Sequence, residues 1–261
     1  MIVDTHTHVW PDSIAAKALA HSIPDLPQVG DGKVSSLVSA MDEVGIDRCV
    51  ALGVAITPAQ VESANKFAGS LDPARFVGFG SVHAGLSPEE NIESLRRHGL
   101  RGAKVHPLFQ GYGLDDHGLH ETLDAMQGEF AVVIHVGAGG SGDVNRGCTP
   151  LLLRQLAQRF PRLDIVACHF GGYRMIDEAE ENVIGLPVYV DTAWPPTVGL
   201  IDARRLRETI RRHGVDRVLF ASDWPMAEPG RELEALEALG LDDDELSAIK
   251  GGNAARLLGL S

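Results

Sequence analysis

Apolar and polar positions alternate along this chain with two different periods. Short runs rich in β-branched residues recur at IVDTHTHV (2–9), RCVALGV (48–54), RFVGFGSV (75–82), RGAKVHP (101–107), FAVVIHVG (130–137), LDIVACHFG (163–171), PVYVDTAW (187–194) and RVLFASDW (217–224). Their length and composition predict strands. Between them apolar residues fall at helical spacing, as in VSSLVSAMDEVG (34–45), NIESLRRHG (91–99), PLLLRQLAQRF (150–160), DARRLRETIRRHG (202–214) and RELEALEALG (231–240). Ser87-Pro88-Glu89-Glu90 reads as a helix start, with a capping hydroxyl, a proline and two acids. Gly45, Gly99 and Gly214 fall just past helix ends, where a left-handed residue closes the last turn. Eight strands alternating with helices imply parallel βαβ units. In 261 residues that pattern predicts an α/β fold, a (β/α)8 TIM barrel forming one domain over 1–261. An open doubly wound sheet is the runner-up. It would carry a glycine-rich phosphate turn after the first strand, where this chain has His-Thr-His-Val-Trp.

The active face of such a barrel is built from the C-terminal ends of its strands. Here the first run ends on His6 and His8, the fourth on Lys104 and His106, the fifth on His135, the sixth on His169, the seventh on Asp191 and the eighth on Asp223. His6 and His8 are two apart on a strand and so share a face. Taken singly, each has an ordinary explanation: a hydrogen-bonded structural histidine, a snorkelling lysine, an aspartate capping a turn. Taken jointly, ionisable groups at the ends of six apolar runs are costly to bury unless paired or bound to metal. Three or four imidazoles with one carboxylate are the ligand types of a zinc or manganese site.

Composition narrows the partners. Lys plus Arg total 23 against 36 Asp plus Glu, a net charge of −13, which disfavours a nucleic-acid partner. Three cysteines without a CxxC pair fit a reducing compartment. No apolar run is long enough to span a bilayer and no signal-like segment leads the chain. The expectation is a cytoplasmic protein acting on a small molecule, with no nucleic-acid or membrane partner. A homo-oligomer stays open.

The motifs DTHTH (4–8), GAKVHP (102–107), VIHVG (133–137), CHFGG (168–172), ASDWP (221–225) and GNAARLLGL (252–260) span the chain in strand order. Together they resemble the amidohydrolase superfamily, in particular its amidohydrolase-related branch of metal-dependent hydrolases and non-oxidative decarboxylases. The resemblance implies that His6, His8, His135 and Asp223 hold the metal. It implies that His169 works on substrate or water, with Asp223 moving a proton as well. Lys104 stands where two-metal relatives carry a carboxylated lysine. The adjoining Val105-His106-Pro107 is similar to single-metal relatives, and four ligands already satisfy one divalent ion. The expectation is one ion, zinc first and manganese second.

Such an ion acidifies water and polarises a carbonyl, with His169 and Asp223 as proton carriers. Hydrolysis of an ester, amide or lactone is the leading reading, and decarboxylation of an aromatic or unsaturated acid the rival. A non-catalytic metal-binding barrel and a histidine-rich phosphoesterase are further alternatives. Lys104, His106, Arg174 and Trp194 are the expected substrate-binding residues. Arg174, or Arg146, would pair with a carboxylate, and Trp10 and Trp224 join Trp194 as residues that either wall a pocket or pack the rim. Strand parity places Asp4 inward beneath His6, as a hydrogen-bond partner that fixes the barrel bottom or a ligand ring, and turns Cys168, next to His169, outward as an inert core thiol. The glycine-rich GAGGSGDVNRG (137–147) reads as an irregular active-site loop.

Overall fold

The computed structural model describes residues 1–20, 26–139 and 142–260. Its eight strands are β1 (Val3–Thr7), β2 (Arg48–Leu52), β3 (Phe76–Ser81), β4 (Gly102–Val105), β5 (Ala131–Ile134), β6 (Ile165–Ala167), β7 (Tyr189–Asp191) and β8 (Val218–Leu219). They form one sheet in the order β1 to β8, with helices between, which is the (β/α)8 barrel expected from the alternation. Every residue of β1, β4, β5, β6 and β8 is buried, on both faces of the sheet, which explains why β5, β6 and β8 read as continuous apolar segments.

The chain partitions into two compact units. The first comprises Met1–Ala51, Ala74–Phe76 and Asp191–Ser261. Within it β1 pairs parallel with β2, Val3 opposite Arg48 and Asp4 opposite Cys49. On the other side of β1, Thr5 N–H donates to Phe220 O at 2.9 Å and Asp223 N–H donates to His6 O at 2.8 Å, so the last strand runs beside the first. The buried Asn253 amide donates to Val215 O and Val218 O, both at 2.7 Å, fixing the start of β8. The core here includes Val3, Leu37, Met41, Leu206, Ile210, Phe220 and Ile249.

The second unit comprises Leu52–Pro73 and Val77–Val190. In it β3 to β7 pair in parallel register, Ser81 opposite Lys104, Lys104 opposite Val133, and Val133 opposite Val166. Its core holds Phe79, Leu95, Leu119, Leu123, Met126, Val132 and Leu153.

The helix signals read from sequence hold. Ser87 Oγ accepts from Glu90 N–H while the Glu90 side chain accepts from Ser87 N–H, a reciprocal cap on Pro88–Arg97. Gly45 closes Val34–Val44 with φ 70°. Residues 140 and 141 of the glycine-rich stretch lie outside the described residues; Gly142–Arg146 forms a single helical turn in place of the expected irregular loop.

Candidate active site

β1 is buried along its whole length and delivers His6 and His8 from its C-terminal end. His6 is almost fully buried. Its Nδ1 lies 2.8 Å from Asp191 Oδ2, at the end of β7. A carboxylate only accepts, so Nδ1 carries the proton and Nε2 presents a lone pair. That Nε2 stands 3.2 Å from His8 Nε2 and 3.4 Å from Asp223 Oδ1, and His8 Nε2 stands 3.5 Å from the same oxygen. Ligand atoms about 2.0–2.1 Å from a tetrahedral ion stand about 3.4 Å apart. These three atoms therefore have the spacing and the donor chemistry that a divalent cation requires. The ring of His8 is backed by Trp10, stacked at 6.1 Å and 18°.

Asp223 reaches this position through an uncommon backbone. Its φ is +67°, and it is joined by His169 (60°), Phe170 (53°) and Arg174 (57°) as the non-glycine residues with positive φ among those described. Each such conformation costs about 1–3 kcal/mol and persists only where surrounding structure fixes it. Three of the four are residues the sequence singled out. At Asp223 the surroundings are visible. Asp4, fully buried, accepts from His6 N–H at 3.2 Å, from Ser222 N–H at 3.0 Å and from Ser222 Oγ–H at 2.6 Å. Asp4 thus ties β1 to the β8 end rather than to a ligand ring, and burial pushes its carboxyl up to about 7.

In the second unit His135 and His169 meet, Nδ1 to Nε2, at 3.2 Å. His106 stacks on His135 at 4.3 Å and on Phe109 at 4.1 Å. The Gln110 carboxamide accepts from His106 N–H at 2.8 Å and donates to Ala55 O and Val82 O, holding the end of β4. His169 also faces the Tyr173 ring, 5.2 Å away. The guanidinium of Arg174 lies 5.1 Å over that ring. The Tyr173 backbone is fixed on both sides, its N–H donating to Val136 O and its carbonyl accepting from Ala138 N–H.

One expectation changes. Cys168 does not point away from the site: Lys104 Nζ donates to its sulfur at 2.8 Å, and both side chains are fully buried. The cause is the left-handed turn at His169 and Phe170, which ends the two-residue alternation, so that Cys168 and His169 both face this cluster. Lys104, the expected substrate residue, gives one of its three N–H donors to this thiol. Of the two roles open to Trp224, packing is visible, since it lies against Gly30, where a Cβ would come within 2.1 Å of its ring. Trp194 is buried and Arg146 exposed. Asp191 is visible in the sequence as a strand end, but its role comes only from its bond to His6. The role of Ser222 has no sequence signal beyond its place in ASDWP.

Fold and strand-end chemistry define a class, the histidine- and aspartate-bearing (β/α)8 barrel enzymes. Within it this chain belongs to the Amidohydrolase family, whose model matches residues 3–260. No curated protein matches it in sequence. Among solved structures it is similar to 5-carboxyvanillate decarboxylase LigW from Sphingomonas paucimobilis, at 18% identity and TM-score 0.72, covering 100% of this chain and 99% of that one. A dihydroxybenzoic acid decarboxylase from Polaromonas sp. JS666, with bound manganese and the inhibitor 2-nitroresorcinol, is similar at 19% identity and TM-score 0.76, covering 99% and 97%. A probable 2-pyrone-4,6-dicarboxylic acid hydrolase from Acinetobacter baumannii, with citric acid bound, is similar at 19% and 0.69, covering 99% of both chains. The family and these neighbours are enzymes, hydrolases or decarboxylases.

Proposed function

We propose that residues 1–261 form one catalytic barrel that hydrolyses a small carbonyl compound bearing a carboxylate, using one divalent ion held by His6, His8, His135 and Asp223. The observation that carries this reading is the convergence of His6 Nε2, His8 Nε2 and Asp223 Oδ1 at 3.2–3.5 Å, with His6 oriented by Asp191. His135 joins them through the family resemblance, and it pairs with His169, the proposed proton carrier. Zinc suits the imidazole-rich donor set, and the neighbours' manganese supports the other choice. When bound, the ion supplies Lewis acidity to a carbonyl and to water.

The protein's own groups do the rest. Asp223 accepts a proton from water and His169 delivers one to the leaving atom. Arg174, stacked over Tyr173, offers a planar donor fork to the substrate carboxylate. Lys104, His106 and Trp194 are the further residues proposed to contact substrate. Decarboxylation of an aromatic or unsaturated acid is the second reading, favoured by the decarboxylases among the structural neighbours. In that case the carbon receives its proton from Asp223 or His169.

A panel of esters, lactones, amides and aromatic or unsaturated acids, assayed with Zn(II)- and Mn(II)-loaded protein for carbonyl hydrolysis and for CO2 release, tests the choice. Turnover of carbonyl substrates without CO2 release supports hydrolysis. CO2 release from the acids alone overturns it in favour of the second reading.

A further inference from the structure

Asp4 is a carboxylate in an unusual setting. It is fully buried, and no lysine, arginine or histidine side chain among the described residues lies within ion-pair distance of it. Burying such a group is costly unless hydrogen bonds compensate it. Its three donors come from two segments only. One is His6 N–H, at 3.2 Å; the other is Ser222, through N–H at 3.0 Å and Oγ–H at 2.6 Å. Ser222 Oγ in turn accepts from Trp224 N–H at 3.1 Å. The residues on both sides of Asp223 are therefore held by one buried network, anchored on the strand that carries His6 and His8. Asp223 itself adds a bond from its N–H to His6 O at 2.8 Å, and its φ of +67° turns its carboxylate back onto the two imidazoles.

We infer that Asp4 and Ser222 are positioning residues: their buried hydrogen-bond network holds Asp223 in its left-handed conformation and so sets the Asp223 carboxylate against His6 and His8. The inference rests on the reading of those three residues as ligands to a divalent ion. It assigns Asp4 and Ser222 no contact with substrate. A neighbouring tie across the same two segments provides the control, since Thr5 Oγ1–H donates to Phe220 O at 2.8 Å, is likewise buried, and makes no hydrogen bond to residues 222–224.

The test is Mn(II) affinity of the chelator-stripped full chain, measured by chelator competition, alongside the Mn(II) electron paramagnetic resonance line shape and the melting temperature of the metal-free protein. Ser222→Ala is expected to weaken Mn(II) binding about ten- to a hundredfold, as loss of a partner that orients a metal ligand does, and to alter the line shape. Asp4→Asn keeps the volume and replaces one acceptor oxygen by a donor. It shifts affinity in the same direction and carries the test if Ser222→Ala fails to fold. Thr5→Ala lowers the melting temperature and leaves affinity and line shape unchanged. Wild-type affinity in both Ser222→Ala and Asp4→Asn overturns the inference, as does equal weakening in Thr5→Ala, which would trace the effect to general stability. Absence of Mn(II) binding in the wild type overturns the ligand reading itself, and this inference with it.

Discussion

At His6 the decisive bond lies on the far side of the ring. Asp191 holds Nδ1 at 2.8 Å, which fixes both the tautomer and the ring plane, and only then does Nε2 face His8 and Asp223 as a lone pair. Replacing Asp191 by Ala should weaken Mn(II) binding about ten- to a hundredfold, with Asp191→Asn milder because its amide oxygen still accepts from Nδ1–H. Chelator competition measures both, and an unchanged affinity in Asp191→Ala would show that His6 needs no partner. His6 and His8 are legible in the sequence because a strand's period of two puts HxH on one face. Asp191 is legible as a residue but not as a partner, since the bond spans 185 positions and no local pattern encodes it.

Strand termini are where local reading stops working. The apolar runs mark all eight strands, yet β6 is only Ile165–Ala167 and β8 only Val218–Leu219. Beyond each lies a turn with positive φ, at His169 and Phe170 after β6 and at Asp223 after β8. Parity therefore fails at Cys168, one residue beyond β6, while it holds at His6 inside β1. Helix starts are better encoded, because a cap such as Ser87 with Glu90 acts within one turn. A different kind of tie joins the helix Pro229–Glu237 to the segment after β7. Glu232, buried, accepts from Val198 N–H at 2.8 Å, and burial pushes its carboxyl up to about 7 from 4.5. The native state thus holds this proton more tightly than the unfolded chain. Its contribution, about 3 kcal/mol, is full below about pH 4.5 and is lost as pH rises through about 7. Glu232→Gln should therefore flatten the fall in melting temperature of the metal-free protein between about pH 5 and 8, as measured by calorimetry. An equally steep fall in the variant would place the titrating group elsewhere.

Across the whole molecule, the barrel brings residues from both ends of the sequence together in its first unit. β1 starts at Val3, and Asp223 N–H, from the segment after β8, bonds to His6 O within that unit. Fold class is legible because alternation is a property of the entire chain and survives errors at individual termini. Substrate identity is not, because one set of strand-end ligands serves hydrolysis and decarboxylation alike. No helix among the described residues is long and apolar enough to cross a membrane. One divalent ion held by His6, His8, His135 and Asp223 is the centre of the proposed chemistry. Its most direct test is metal stoichiometry, by elemental analysis, after the stripped protein is reloaded with Zn(II) or Mn(II) and desalted. The expected result is about one equivalent in the wild type, loss of the ion in His8→Ala, and retention of the ion without turnover in His169→Ala. Two equivalents in the wild type, or loss of metal in His169→Ala, would contradict it.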